Sequence, residues 1–299
     1  MINIQRALRG ITPPETDQHR AERFNKEMAK REAGNFYWGF ISLGYHERMA
    51  IYALYNFARQ VDDEADSLGA NTADLPARLA VHRERIHRAA RGDYGDDPIL
   101  RVLAEAIERY EIPTRELEML VDGCEMDFTH SSYRTYEDLK AYCNLVASVV
   151  GRMCVRIFGF SDPIALERAD DLGMALQLTN ILRDVREDAV DMKRVYLPQE
   201  DLERFEIPIE ALSTGEIVPG WNDFVQQHVD RARKYYETGL QVLKYIPRRP
   251  SACVGTMAGI YEELLKKIER EPALPLRERA ALSKTEKLRV VVKSWLSSG

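Results

Sequence analysis

The chain has 299 residues, 45% of them hydrophobic and 30% charged, which supplies a sizeable core and excludes a disordered chain. Its net charge of −6 draws on both signs, which argues against a general nucleic-acid binder with a basic face. Cys124, Cys143, Cys154 and Cys253 form no CxxC pair and the first twenty residues hold no apolar secretory core, so a reducing cytoplasm is the expected location.

In chain order, apolar residues recur at three- and four-residue spacing over residues 17–33, 46–66, 75–91, 98–110, 115–128, 137–158, 164–188, 221–245 and 252–271. The breaks carry turn and stop residues: Pro13-Pro14, Gly69, "GDYGDDP", Pro113, "SDP" before Ile164, "YLP" at Tyr196, "STGEIVPG" and "IPRRPS". No alternating strand, internal repeat or low-complexity linker interrupts the pattern. The expected fold is all-α, a single large helical bundle over 1–299, with an extension at 1–17 and a basic, apolar tail at 283–299. No apolar run approaches the roughly 20 residues that cross a bilayer, so a spanning helix is not expected, while surface association is allowed.

Two of these helices carry the same polar device. On the 46–66 segment, Tyr55, Arg59, Asp62 and Asp66 fall on one stripe; on the 164–188 segment, Gln177, Asn180, Asp184 and Asp188 do the same, with Arg183 beside the first aspartate. A solvated helix face is the ordinary explanation of one DxxxD pair. It fits poorly here, because Leu54, Phe57, Val61 and Ala65 surround one pair and Leu176, Ile181, Leu182 and Val185 the other. Like charges four residues apart also destabilise a helix by a few tenths of a kcal/mol unless a cation relieves them. Carboxylate oxygens suit magnesium, which binds through one or two carboxylates plus substrate phosphates, and arginine grips phosphate through paired hydrogen bonds. The constellation reads as a magnesium–diphosphate site, with Asp62, Asp66, Asp184 and Asp188 as metal ligands.

Other chemistries lack their residues. A di-iron bundle needs two ExxH motifs, and only Glu84 to His87 fits, inside the basic run "HRERIHRAAR" that reads as a solvated face. There is no HExxH, P-loop or strand-linked GxGxxG. The cysteines read as small core residues.

The segments "ALYNFARQVDDEAD", "YCNLVASVVG", "QLTNILRDVREDAVDMKRVYLP", "ARKYY" and "IYEELLKKIE" resemble, in order, the squalene and phytoene synthase family of helical isoprenoid enzymes. The resemblance covers roughly residues 35 to 271. It implies a bundle around a central cavity in which two aspartate-rich helices face each other across magnesium, or manganese in its place, and prenyl diphosphate. It further implies catalytic roles for Tyr55, Arg59, Tyr142, Arg183 and Tyr261. Asn35, Phe36, Arg59, Ala147, Gly151, Gln177, Asn180, Arg183, Arg194 and Tyr196 would bind substrate. Ala147, Ser148 and Gly151 have two readings, as cavity wall and as helix packing. The chain departs from the family at Ala33-Gly34-Asn35-Phe36, where Ser-x-Ser-Phe is common, and at Lys193, where glycine is frequent.

The activity implied is head-to-head condensation of two farnesyl diphosphates to presqualene diphosphate, with "GNFYWGF" and "RMAIYALYNFARQVDD" favouring that reading over phytoene synthesis from geranylgeranyl diphosphate. NADPH is not expected for this first step. Non-catalytic relatives that assist respiratory complexes are the contrasting class, which the intact acidic pairs and arginines disfavour. The tail "SKTEKLRVVVKSWLSSG" suits either an interfacial helix that makes peripheral membrane contact or packing against the body.

Overall fold

A computed structural model describes residues 16–32, 39–40, 42–66 and 74–297, the side chains of 64–66 and 296–297 excepted. Among these residues there is no strand, and Ser132 and Val195 form an isolated parallel bridge. In the first half, α1 (Asp17–Glu32), α2 (Tyr45–Asp66), α3 (Leu75–Ala90), α4 (Pro98–Arg109) and α5 (Thr114–Thr129) pack with α2 at their centre. A long helix follows, made of α6 (Tyr136–Cys143), a π turn (Asn144–Ser148) and α7 (Val149–Phe158). The second half surrounds α8 (Ile164–Val190): α7, α11 (Trp221–Gly239) and α12 (Arg248–Arg270) pack along it. The short helices α9 (Gln199–Arg204), α10 (Ile209–Thr214) and α13 (Leu274–Arg277) close that half, and α14 (Lys284–Ser297) lies on α12. Buried side chains from Ala21 to Leu282 belong to one cluster, in which Phe57, Leu103, Met153 and Trp221 are fully enclosed.

Local chemistry sets the helix starts. Asp97 accepts from the amides of Ile99 and Leu100 at 2.9 and 3.0 Å, and Pro98 opens α4 where a missing N–H does no harm. Thr135 and Asp138 cap α6 reciprocally. The same device, Ser283 with Glu286, starts α14, so the tail is a specified helix rather than a frayed end.

Three boundaries differ from the periodicity. The expected helix over 221–245 leaves α geometry after Gly239 and finishes as a 3₁₀ turn, Leu240–Lys244. The break expected at "IPRRPS" is the first turn of α12, since Pro247 precedes it and Pro250 sits where no helical donor is required. Helices α9 and α10 were not expected; at six residues each, they are too short to show a period.

Helix Tyr136–Phe158 is long and apolar enough, by length and composition, to cross a membrane. Its charges argue that it is a core helix instead. Arg152 pairs with Glu116 at 3.3 Å and with Asp170, and Arg156 lies 3.4 Å from Glu116. The small residues beside them make the helix crossing: a Cβ on Gly151 would lie 2.7 Å from the Ala169 carbonyl oxygen, and one on Gly173 would lie 2.7 Å from that of Ala147. Ser148 donates to the Asp170 carbonyl at 2.9 Å. These contacts support the packing reading of Gly151 and Ser148, in the close approach of α7 and α8; Gly151 and the Ala147 methyl are only partly covered.

The four cysteines are free thiols. Burial pushes the Cys143, Cys154 and Cys253 thiols up, that of Cys154 to about 12, which suits inert core residues. The "HRERIHRAAR" run is solvated on one side only: His82, Ile86 and Ala89 are buried, while on the exposed side Arg91 pairs with Glu84 at 3.0 Å and His87 with Glu118 at 3.2 Å.

Candidate active site

Helix α2 presents Tyr55, Arg59 and Asp62 on one side while Leu54, Phe57 and Val61 are buried on the other. Arg59 bridges Asp62 and its neighbour Asp63, each at 2.8 Å. The Tyr55 hydroxyl donates to the Glu32 carbonyl at 2.9 Å, which ties this face to the end of α1. The Asp66 side chain lies outside the described residues, as do Asn35 and Phe36.

Helix α8 presents Gln177, Asn180, Asp184 and Asp188, and Asn180 donates to Gln177 at 3.4 Å. The Asn180 side-chain oxygen Oδ1 is buried without a hydrogen-bond partner. Asp184 is held from both sides: Arg183 reaches it through Nε at 2.7 Å and through Nη2, and Arg279, from the loop after α13, through Nε at 2.9 Å. Arg279 also lies 3.4 Å from Glu187. Burial opposes the charge on Arg183, but its bonds to Asp184 outweigh that effect and raise its pKa. Its guanidinium stands 5.8 Å from the centre of the buried Tyr261 ring on α12.

Asp188 has weaker relief, from the charge of Arg183 alone. Burial, then the charges of Asp184, Glu187 and Asp127, push its carboxyl up to about 7. Asp127, near the end of α5, is the residue on which a second group converges. It accepts from the Tyr142 hydroxyl at 3.0 Å and from the Tyr196 hydroxyl at 2.8 Å. The two rings stack with centroids 5.3 Å apart, and Tyr133 completes a triangle at 5.3 Å from Tyr142 and 6.0 Å from Tyr196. The Tyr133 hydroxyl is buried with no hydrogen-bond partner. Burial first, then Asp127, raises the pKa of all three phenols, so they stay protonated.

The segment carrying Arg194 and Tyr196 is fixed by backbone bonds: Arg194 N to the Asp188 carbonyl and Val195 N to that of Ser131, both at 2.9 Å. Arg194 stacks over Phe128 at 5.0 Å. Beyond it, the buried Asp201 anchors α9 to α11 through Arg231 and Gln227. Lys193 enters this segment with φ at +53°, a left-handed backbone that glycine adopts without strain. A frequent glycine at that position therefore has a conformational reason.

The donor types at this site are those that divalent cations take. Its carboxylates and the partnerless Asn180 side-chain oxygen are hard donors, and the charge on Asp188, which burial and the neighbouring acids disfavour, is one a bound cation would stabilise. Among the described residues no three acidic, histidine or cysteine side chains converge on one point. Each ion would therefore be held by one or two carboxylates, with substrate oxygens and water completing its shell.

The family model described as squalene/phytoene synthase matches residues 29–286. The chain belongs to the squalene/phytoene synthase family. Members of this family are prenyltransferases acting on prenyl diphosphates, and so is this protein. It is 32% identical over 286 residues to a phytoene synthase of Mycobacterium tuberculosis, covering 95% of this chain and 93% of that one. The 15-cis-phytoene synthase of Synechococcus elongatus is 33% identical over 278 residues, covering 88% of each chain. Among solved structures, a dehydrosqualene synthase in complex with ligand superposes with a TM-score of 0.84 at 26% identity, over 96% of this chain and 100% of the other. The squalene synthase HpnC from Alicyclobacillus acidocaldarius gives 0.80 at 26% identity, over 87% and 97%.

In this prenyltransferase the geometry brings together Tyr142, Arg183, Asp184, Asp188, Tyr196 and Tyr261 from the expected set. Sequence reading missed Asp127, Tyr133, Arg279, Asp63 and Glu187. Asp127 in "CEMDFTH" has no acidic companion three or four residues away, and Arg279 follows a short helix in "LPLRERAALS", so neither carries a periodic signal.

Proposed function

We propose that this prenyltransferase joins two farnesyl diphosphates head to head, with magnesium, to give presqualene diphosphate. The observation that carries the reaction type is the α8 array, in which Arg183 and Arg279 grip Asp184 while burial and neighbouring acids outweigh Arg183 at Asp188. Such an array accepts a diphosphate with its counter-ions. The likeness to a dehydrosqualene synthase and a squalene synthase, enzymes named for thirty-carbon chains, supports farnesyl as the substrate.

Asp62 and Asp66 on α2 and Asp184 and Asp188 on α8 would hold the ions, which, when bound, neutralise the diphosphate and make it a leaving group. Arg59, Arg183, Arg194 and Arg279 add fixed positive charge where negative charge develops as the C–O bond breaks. The allylic cation then takes the electron pair of the second chain's double bond, and loss of a proton closes a cyclopropane that retains the second diphosphate. Tyr142, Tyr196 and Tyr261 offer ring faces to cationic carbons. Because the phenols stay protonated, Tyr142 or Tyr196 acts as a relay: its hydroxyl oxygen receives the proton while its own passes to Asp127. The departed diphosphate is the rival base.

Phytoene synthesis from geranylgeranyl diphosphate is the second reading, favoured by the names of the sequence relatives. Incubation of the purified protein with magnesium and each diphosphate, with and without NADPH, followed by mass analysis, separates the two. A thirty-carbon diphosphate from farnesyl diphosphate is expected, with squalene absent unless NADPH is added; phytoene from the longer substrate would move the assignment, and no product from either would refute both.

A further inference from the structure

Helix α14 is amphipathic twice over. Its inner face packs on α12, where Val290 fits against Gly259 and the buried Ser294 lies over Gly255. A Cβ on Gly259 would stand 2.7 Å from Val290 Cγ1, so small residues on α12 form a flat seat that holds α14 to the body. Its outer face carries Leu288, Val292 and Trp295, at offsets of zero, four and seven, which aligns them in one stripe. These side chains are 60%, 51% and 49% exposed, among the most exposed large apolar residues described.

Basic residues surround the stripe. Residues 283–299 hold Lys284, Lys287, Arg289 and Lys293 against the single acid Glu286, in a chain whose net charge is −6. An apolar stripe with a tryptophan, bordered by lysine and arginine and rigidly seated, matches a negatively charged lipid surface: the apolar side chains enter the headgroup boundary, the indole sits at that boundary and the cations meet the phosphates.

We propose that the outer face of α14 docks this protein on anionic bilayers. The helix begins five residues after Arg279, which grips Asp184, so Lys284 lies within roughly 18 Å of that arginine. Docking therefore sets the candidate active site beside the membrane from which greasy substrates arrive and into which their products leave. That benefit rests on the function proposed above, whereas the docking itself does not.

The test is co-sedimentation of the full chain, without substrate, with vesicles of phosphatidylcholine alone or with one-third phosphatidylglycerol. We expect binding to the anionic vesicles, at least tenfold weaker binding to neutral ones, and a further loss in 0.5 M salt. The triple variant Leu288→Gln, Val292→Gln, Trp295→Gln should lose at least tenfold in vesicle affinity while keeping wild-type turnover on detergent-dispersed substrate. Its altered side chains face solvent, and an unchanged melting temperature confirms folding. Absent vesicle binding, or binding the triple variant retains, would overturn the proposal. So would a dimer in sedimentation velocity that the triple variant converts to monomer, since the stripe would then serve a second copy of this chain. Loss of prenyl transfer with vesicle binding intact would count against the function and leave the docking standing.

Discussion

Asp127 joins parts of the chain far apart in sequence, and its removal should be felt at each. In Asp127→Ala, the hydroxyls of Tyr142 and Tyr196 lose the acceptor they reach at 3.0 and 2.8 Å. A buried polar group left without a partner costs about 1–3 kcal/mol. Tyr142 is 4% exposed and takes most of that penalty, whereas Tyr196 is only partly buried and recovers some by bonding to water. The sum is about 3 kcal/mol, or roughly 6 °C in melting temperature for a chain of this size. Asp127→Asn keeps a carbonyl oxygen that can accept from both phenols, so it should lose only about 1 kcal/mol. Urea denaturation of the wild type, both variants and Tyr142→Phe, alone and combined with Asp127→Ala, forms a double-mutant cycle. The combined variant should cost less than the sum of the two single changes. Additive effects, or a loss under 1 kcal/mol for Asp127→Ala, would show that the shared acceptor does not hold the tyrosines and would remove the proton path with it.

Asp62→Asn and Asp184→Asn should each lower prenyl transfer at least a thousandfold while shifting the melting temperature by no more than about 2 °C; a variant that turned over normally would end the metal-site argument. Because Asp188 has its pKa raised from 3.8 to about 7, its contribution to stability is full below 3.8, fades as pH rises, and is gone above 7. In EDTA the protein should therefore lose on the order of 1–2 kcal/mol between pH 5 and 8 from this half-buried group, and melting curves of Asp188→Asn should lack that loss. Gly151→Ala should destabilise by about 1–3 kcal/mol, since its methyl would press on the Ala169 carbonyl; a glycine that merely lined a cavity would accept the change. Lys193→Gly should gain about 1 kcal/mol by relieving the left-handed backbone, readable as a higher urea midpoint at unchanged slope.

The aspartate helices were legible because period and chemistry coincide there: Asp62, Asp184 and Asp188 repeat a polar stripe on helices whose other faces are apolar. Helices without a cap or period of their own, α9 and α10, were not. The small residues at 147–151 left two readings open, since packing and lining demand the same side chains and only the opposing backbone of Ala169 and Asp170 decides between them. Asp127 and Arg279 stayed hidden for another reason. Each meets its partner across more than a dozen residues of sequence, a distance that no local pattern records.

The π turn at Asn144–Ser148 acts as a phase shifter. A π turn amounts to one additional residue in the helix, and one residue is about 100° of rotation. Deleting one position between 144 and 148 would let Tyr136–Phe158 run as an ordinary α-helix with its two ends in their present register, whereas straightening the turn with every residue kept would put them about 100° out. With α7 locked to α8 through Gly151, Arg152 and Asp170, that straightening would swing the ring of Tyr142 away from Asp127 by about a quarter turn. The helix would keep its length, hydrophobicity and packing partner while losing the aim of one side chain. For alignments in this family, a single-residue gap at this turn is thus neutral in phase, whereas the same gap elsewhere between Tyr142 and Gly151 turns the tyrosine away from its partner.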